Sequence, residues 1–117
     1  MFEFKFTIII TVNNSQESIK KSIDSIISQS IGFKDDVEIV VVNEESSDKT
    51  NEIIEEYIEK YPNNITLINN EKLLTIASLK NLAIEEAKGE FISFLDSGDY
   101  ISKKTLDFFQ NISIIML

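Results

Sequence analysis

An open, mostly parallel α/β sheet with right-handed crossovers is the fold that this sequence predicts. Short β-branched apolar runs alternate with amphipathic segments of helical period along its 117 residues. The runs are apolar at consecutive positions, as strands covered by helices on both faces must be. One Pro and three Gly are the strongest breakers. No linker, low-complexity stretch or internal repeat divides the chain, so residues 1–117 are expected to form a single α/β unit.

Phe6 to Val12 reads as the first buried strand. From Ser15 to Ser30 the residues Ile19, Ile23, Ile26 and Ile27 recur at helical spacing, with Asn14 or Ser15 as the N-cap and Gly32 just past the end. Val37 to Val42 is the second strand. Asp48 to Tyr61 is the second helix, carrying Ile53, Ile54, Tyr57, Ile58 and Tyr61 on one face and followed by Pro62. Ile65 to Ile68 makes a short third strand. Ile76 to Lys88 is the third helix; Ile76, Leu79, Leu82, Ala83 and Ala87 mark its inner side, and Gly89 is expected at its C′ position. Glu90 to Leu95 is the fourth strand, and a last helix opens at Ser102 as N-cap.

The chain contains no His, Cys or Trp, and its 20 acidic against 11 basic residues give a net charge of -9. Without Cys there is no disulfide frame, thiolate nucleophile or iron–sulfur site, and without His there is no Ser-His triad or imidazole-built metal site. Chemistry must run on carboxylates, hydroxyls, amides and Lys. The acidic excess argues against nucleic acid as a partner, because phosphate neutralisation needs a cationic surplus. No apolar run approaches the roughly 20 residues of a spanning helix. The stretch Met1-Phe2-Glu3-Phe4-Lys5 lacks the features of a secretory signal, so the cytoplasm is the expected compartment.

In open α/β sheets, ligands bind at the carboxyl ends of the strands. This sequence puts Thr11, Asn13 and Asn14 after the first strand, Asn43 to Asp48 after the second, and Asp96, Ser97, Gly98 and Asp99 after the fourth. Carboxylates gathered at one edge repel one another unless a cation joins them. Neither GxGxxG nor GxxxxGK[ST] occurs, so a diphosphate would be held through a divalent metal instead of a Gly-rich loop. Taken singly, Glu44, Glu45 and Asp48 also suit a solvated loop beside a helix N-terminus, and Asp96 to Asp99 suits a turn.

Taken together, these segments resemble the nucleotide-binding half of family 2 glycosyltransferases of the GT-A fold. The resemblance rests on Thr11-Val12-Asn13-Asn14, Val42-Asn43-Glu44-Glu45-Ser46-Ser47-Asp48, Leu79-Lys80-Asn81-Leu82-Ala83 and Ala87 to Asp99, in this order. It spans nearly the whole chain. Ile31-Gly32-Phe33 and Tyr61 to Ile65 are similar to the bacterial branch that builds cell-surface polysaccharides or teichoic-acid-like polymers. The resemblance implies transfer of a sugar from a nucleotide-diphosphate sugar to a polysaccharide or lipid-linked acceptor, with Mg²⁺ or Mn²⁺ bridging the diphosphate. It implies nucleotide-sugar contacts at Thr11, Val12, Asn13, Glu44, Lys80, Asp96 and Ser97. In that scheme Thr11 to Asn13 flank the base, Glu44 reads its edge, and Lys80 replaces the family's Arg. Asp96 faces the ribose or sugar, and Asp96 and Asp99 are the metal candidates.

The departures are equally specific. Asn43-Glu44-Glu45-Ser46 stands where the family has Asp-Asp-Gly-Ser or Asn-Asp-Gly-Ser. Asn13 replaces a base-stacking aromatic residue, Thr75 replaces a Gly, and Gly98 replaces an Asp of the metal motif. These changes also fit a second reading, a degenerate module acting as an interaction or scaffold domain of a longer protein. A signalling receiver domain fits less well, because no acidic pair follows the first strand. The catalytic base, an acidic residue in inverting members, is expected beyond residue 117, which would leave this half inactive alone. In the full-length protein a peripheral position at the inner membrane face is expected. Phe108, Phe109 and Ile112 to Leu117 are expected to form an apolar surface through which two copies pair.

Overall fold

The computed structural model describes the backbone of residues 2–71 and 74–116, and side chains as far as Asn111. Its elements run β1 (Phe4–Val12), α1 (Ile19–Ile27), α2 (Phe33–Asp36), β2 (Val37–Asn43), α3 (Thr50–Lys60), β3 (Ile65–Asn69), α4 (Ile76–Glu86), β4 (Gly89–Asp96) and α5 (Thr105–Met116). The strands form one sheet in the order β3-β2-β1-β4, and every pairing is parallel. The predicted α/β class and the order of its strands and main helices hold. The short α2 lies in a segment whose four residues are too few to show a helical period.

Helices cover the two faces unequally. On one face Ile8, Ile10, Val12, Ile39 and Val41 pack with Ile19, Ile23 and Ile26 of α1, Ile54 and Tyr57 of α3, and Leu106 of α5. On the other, among the described residues, Ile9, Val40 and Val42 pack with Leu79 and Ala83 of α4, flanked by Ile68 and Leu74. The three α1 isoleucines are fully buried. At about 2 kcal/mol each, they contribute about 6 kcal/mol toward docking this helix, several times the net worth of any single hydrogen bond.

The lone helix on the second face accounts for two differences from the sequence reading. Of the expected inner positions of α4, only Leu79 and Ala83 are buried; Ile76 and Leu82 stay exposed, because the helix meets the sheet along a narrow stripe. Edge strand β4 is likewise open on this face rather than buried: Phe94 is 46% exposed and Ile92 38%. Ile92 and Phe94 share the pleat face of Asp96, beyond the reach of α4's buried contacts.

Several caps also differ from expectation. Helix α1 starts at Ile19, and its N-cap Ser18 makes no side-chain capping bond. Ser15 serves instead through its carbonyl, which accepts the N–H groups of Ser18 and Ile19. Gly32 lies beyond an intervening turn, with φ +86, at the N-cap of α2. Thr75, whose side chain accepts from the Ser78 N–H at 3.2 Å, caps α4. Gly89 is no helix cap, since α4 ends at Glu86. Instead it opens β4 against β1, where an added Cβ would lie 2.5 Å from both the Thr7 backbone N and Oγ1.

That close approach closes a buried knot at the amino end of the sheet. The Gly89 N–H donates to Thr7 Oγ1 at 2.9 Å, Thr7 Oγ1 donates to Glu38 Oε1 at 2.8 Å, and the same carboxylate oxygen accepts the Lys88 N–H at 2.8 Å. Backbone atoms cannot yield to a methyl group at 2.5 Å. Gly89→Ala is therefore expected to cost about 2 kcal/mol or more, read as a lower urea midpoint at unchanged slope. A midpoint equal to wild type would contradict this account of the glycine.

Candidate functional site

The register of the sheet places the loops. Thr11 lies opposite Val42 on one side and Asp96 on the other, and Val12 lies opposite Asn43. Beyond the strands the pairing continues for one bond on each flank. The Glu44 N–H donates to the Val12 carbonyl at 3.0 Å, and the Ser97 N–H donates to the Thr11 carbonyl at 3.2 Å. Glu44 and Ser97 are thereby fixed on either side of the end of β1.

A cleft of about 310 Å³ opens at this edge, lined by Thr11, Val12, Asn13, Ser15, Glu44, Ile76, Lys80, Asp96 and Ser97. All seven residues expected from sequence as nucleotide-sugar contacts line it. Asp99 does not. Ser15 and Ile76 are additions: the first had been read only as a helix cap, the second only as a core position. Thr11 Oγ1 donates to Asp96 Oδ1 at 3.1 Å, which orients that carboxylate across the cleft mouth. Lys80 lies with Nζ 5.4 Å from the centroid of the Phe94 ring. Among the described residues it makes no salt bridge, so its charge is available to an anionic ligand.

The loop after β2 is held by side chains. Asn43, buried, donates from Nδ2 to Asn51 Oδ1 at 2.7 Å and to Asn69 Oδ1 at 3.0 Å, while its own Oδ1 accepts Ser46 Oγ at 2.7 Å. Asn14, at φ +48, donates its N–H to Ser46 Oγ and accepts the Ser47 N–H at Oδ1, 2.8 Å. Short polar side chains such as Asn tolerate this left-handed backbone. Asp48 turns inward, accepting the Gln16 N–H at 3.3 Å, the Thr50 N–H at 2.9 Å and the Thr50 hydroxyl. These bonds, the Thr50 hydroxyl first, hold its carboxyl below the usual carboxylate range. Asp48 thus braces the loop, and the exposed Glu44 is the acid presented to the cleft.

The turn after β4 is gripped from outside. The Asp99 N–H donates to the Asp96 carbonyl at 3.0 Å, closing a tight turn through Gly98 at φ +96. An added Cβ at Gly98 would meet only ordinary contacts with Ser18, but the backbone conformation disfavours any side chain there. Restoring the family's Asp at position 98 would therefore strain this turn. Ser18, Ser22 and Ser25 of the α1 segment and Gln29 beyond it hydrogen-bond to residues 97–106. Gln29 Oε1 accepts the first-turn Leu106 N–H at 3.0 Å, so Gln29 caps α5 in place of the expected Ser102.

The donor set can be tested against a divalent cation. No group of three or more acidic side chains among the described residues is arranged to hold a metal. Asp96 and Asp99 lie on one exposed turn. That set does not make an all-protein cage. Two carboxylates on one turn match in number what Mg²⁺ takes from a protein when substrate phosphates and water fill the rest of its octahedron.

Residues 7–108 match the pattern described as "Glycosyl transferase family 2". The chain belongs to that family. It is 35% identical over 106 residues to the "Minor teichoic acid biosynthesis protein GgaB" of Bacillus subtilis, covering 91% of this chain and 12% of GgaB. A solved structure of Staphylococcus aureus TarS residues 1–349 in complex with UDP-GlcNAc superposes with TM-score 0.83 at 31% identity, over 96% of this chain and 32% of that one. The mannosyltransferase PcManGT of Pyrobaculum calidifontis, in complex with GDP-Man and Mn²⁺, superposes with TM-score 0.72 at 27% identity, over 82% of this chain and 28% of that one. The fold of this family 2 chain is that of the GT-A glycosyltransferases, and it spans a third or less of these relatives' lengths.

Bracing by Asp48 carries a pH signature. A depressed carboxyl pKa contributes stability that is complete above the unfolded-state value and is lost as pH falls through the folded value. Asp48→Asn is expected to melt below wild type at neutral pH, with the gap closing below about pH 4. A gap independent of pH in thermal melts would show that the charge on Asp48 braces nothing.

Proposed function

We propose that this chain is the donor-binding half of a glycosyltransferase that transfers a sugar from a nucleoside-diphosphate sugar to an acceptor in the synthesis of a bacterial cell-surface polymer. The observation that carries this reading is the convergence of the family's donor-contact positions on one cleft at the carboxyl edge of the sheet. Relatives support the ligand class: TarS has been solved in complex with UDP and with UDP-GlcNAc. GgaB and the poly(ribitol-phosphate) β-glucosyltransferase of Bacillus spizizenii support the cell-surface polymer class.

In this reading Thr11, Val12 and Asn13 form the wall beside the base. Glu44 accepts from the base edge, and Ile76 supplies the apolar contact that Asn13 cannot. Lys80 leaves the Phe94 ring to meet the diphosphate. Asp96, oriented by Thr11, faces the ribose or sugar, with Ser97 beside it. Asp96 and Asp99 would hold a Mg²⁺ or Mn²⁺ ion, which would supply positive charge to neutralise the diphosphate leaving group. No helix among the described residues is long and apolar enough to cross a membrane. The full-length protein is proposed to act in the cytoplasm, peripherally at the inner membrane face where a polymer or lipid-linked acceptor is presented.

Titration of UDP, CDP and GDP sugars by calorimetry, with Mn²⁺ and with chelator, tests the donor site. One base class is expected to bind with metal-enhanced affinity, and Asp96→Ala is expected to weaken it about tenfold or more, the loss of a charge-assisted contact. No binding of any nucleotide at millimolar concentration would leave the degenerate-module reading in its place.

The exposed aromatic surface supports the expected self-association. Phe91, Phe94 and Phe109 line an apolar cleft of about 310 Å³ with Phe6, Ile8 and Leu106, and Phe108 stands exposed beside it. The side chains of residues 112–117, part of the same expectation, lie outside the described residues. Sedimentation velocity at two concentrations is expected to give a rising coefficient that Phe108→Ser with Phe109→Ser abolishes. A coefficient independent of concentration would overturn the pairing.

A further inference from the structure

We propose that the polar face of α1 is a positioning element for the Asp96–Asp99 turn, fixing it before any ligand arrives so that cation and nucleotide bind it as one unit. The inference rests on the donor-site reading for its functional half and on hydrogen bonds alone for its structural half.

Ser18, Ser22, Ser25 and Gln29 recur at spacings of four, three and four, which lines up one helical face. That face lies beside the stripe of Ile19, Ile23 and Ile26 that docks α1 on the sheet. Each of its members bonds to the chain that follows β4. Ser18 Oγ lies 3.0 Å from Ser97 Oγ. Ser22 Oγ donates to the Asp99 carbonyl at 2.6 Å and accepts the Gly98 N–H at 2.9 Å. Ser25 Oγ accepts the Ile101 N–H at 3.2 Å. Gln29 Nε2 donates to the Ser102 carbonyl at 2.6 Å while its Oε1 accepts the Leu106 N–H.

Ser22 is the centre of this arrangement. It is fully buried, and a hydroxyl can give one proton while accepting another. It uses both capacities on consecutive residues of the turn. Core packing does not ask for a hydroxyl there, because α1 is already docked through its isoleucines. The turn does: Gly98 has the freest backbone in the loop, and its N–H and the next residue's carbonyl would otherwise fluctuate with it. Asp96 and Asp99 flank that glycine, so their relative geometry is set by the Ser22 hydroxyl from across the interface.

Amide hydrogen exchange of Ser22→Ala and Ser25→Ala, compared with wild type, reads the structural half without ligand. Exchange at Gly98 in the first variant and Ile101 in the second is expected to rise about tenfold, with protection at Ile23 and Ile26 unchanged. Ser28, whose hydroxyl donates to the Asp24 carbonyl of α1 and to no loop residue among those described, provides the control, and Ser28→Ala should leave the loop as it is. The functional half is read with whichever of UDP, CDP and GDP binds wild type, as the ratio of its affinity with Mn²⁺ to that with chelator. In Ser22→Ala this ratio is expected to fall toward one while metal-free affinity holds. A folded variant with unaltered loop exchange overturns the proposal, as does faster exchange with an intact ratio. Should wild type bind none of UDP, CDP and GDP under either condition, the donor-site reading fails, and exchange alone then upholds or overturns the hold of α1 on the loop. Should Ser22→Ala fail to fold, Ser25→Ala carries the same two readouts.

Discussion

The position of β1 between two parallel neighbours is the constraint on which the rest of the structure depends. Because β2 and β4 both run parallel to it, all three strands deliver their loops to one edge. Because Thr11 is in register with both Val42 and Asp96, those loops begin at one level. A shift of one residue on either side would turn Thr11, Asp96 or Asn43 to the opposite face. The cleft is therefore a consequence of strand register before it is a consequence of any loop.

At the opposite end of the sheet, Gly89 enforces that register. Its lack of a side chain lets β4 approach β1 closely enough for its N–H to reach Thr7 Oγ1, and Glu38 ties the same oxygen to β2. Burying a carboxylate here is tolerable because its Oε1 accepts from both Thr7 and Lys88. A polar lock at the amino edge and a ligand cleft at the carboxyl edge are thus two ends of the same three strands. At the carboxyl edge the loops are held by side chains from neighbouring elements: Asp48 and Asn43 brace one, and α1 grips the other.

Electrostatics at the cleft follow the same division. Acids that brace are turned inward and hydrogen-bonded, as Asp48 is, whereas Glu44 and Asp96 remain exposed. Lys80 is the cation that faces them among the lining residues. In a chain of net charge -9, the proposed phosphate ligand would have to bring its own metal ion.

The sequence by itself determined the fold class, the order of the main elements and seven of the nine residues that line the cleft. Strand and helix periods are local, and in a parallel sheet the loop after each strand must fall on the carboxyl edge, so Thr11, Glu44 and Asp96 could be brought together without coordinates. Tertiary structure alone decided how those loops are held. Gly89 read locally as a helix cap and proved to be a point of contact with Thr7; Ser102 read as a cap whose place Gln29 takes from more than 70 residues away in the chain. The serine spacing on α1 was visible in the sequence, but its meaning was not, since a hydroxyl beside an apolar stripe reads as solvated surface until the turn after β4 is in place. The same holds for β4: its apolar residues predict burial, and only the narrow footprint of α4 leaves Phe94 in the open. Local patterns fix what each segment is, whereas caps, clamps and uncovered faces are contacts between segments distant in sequence, which no local period encodes.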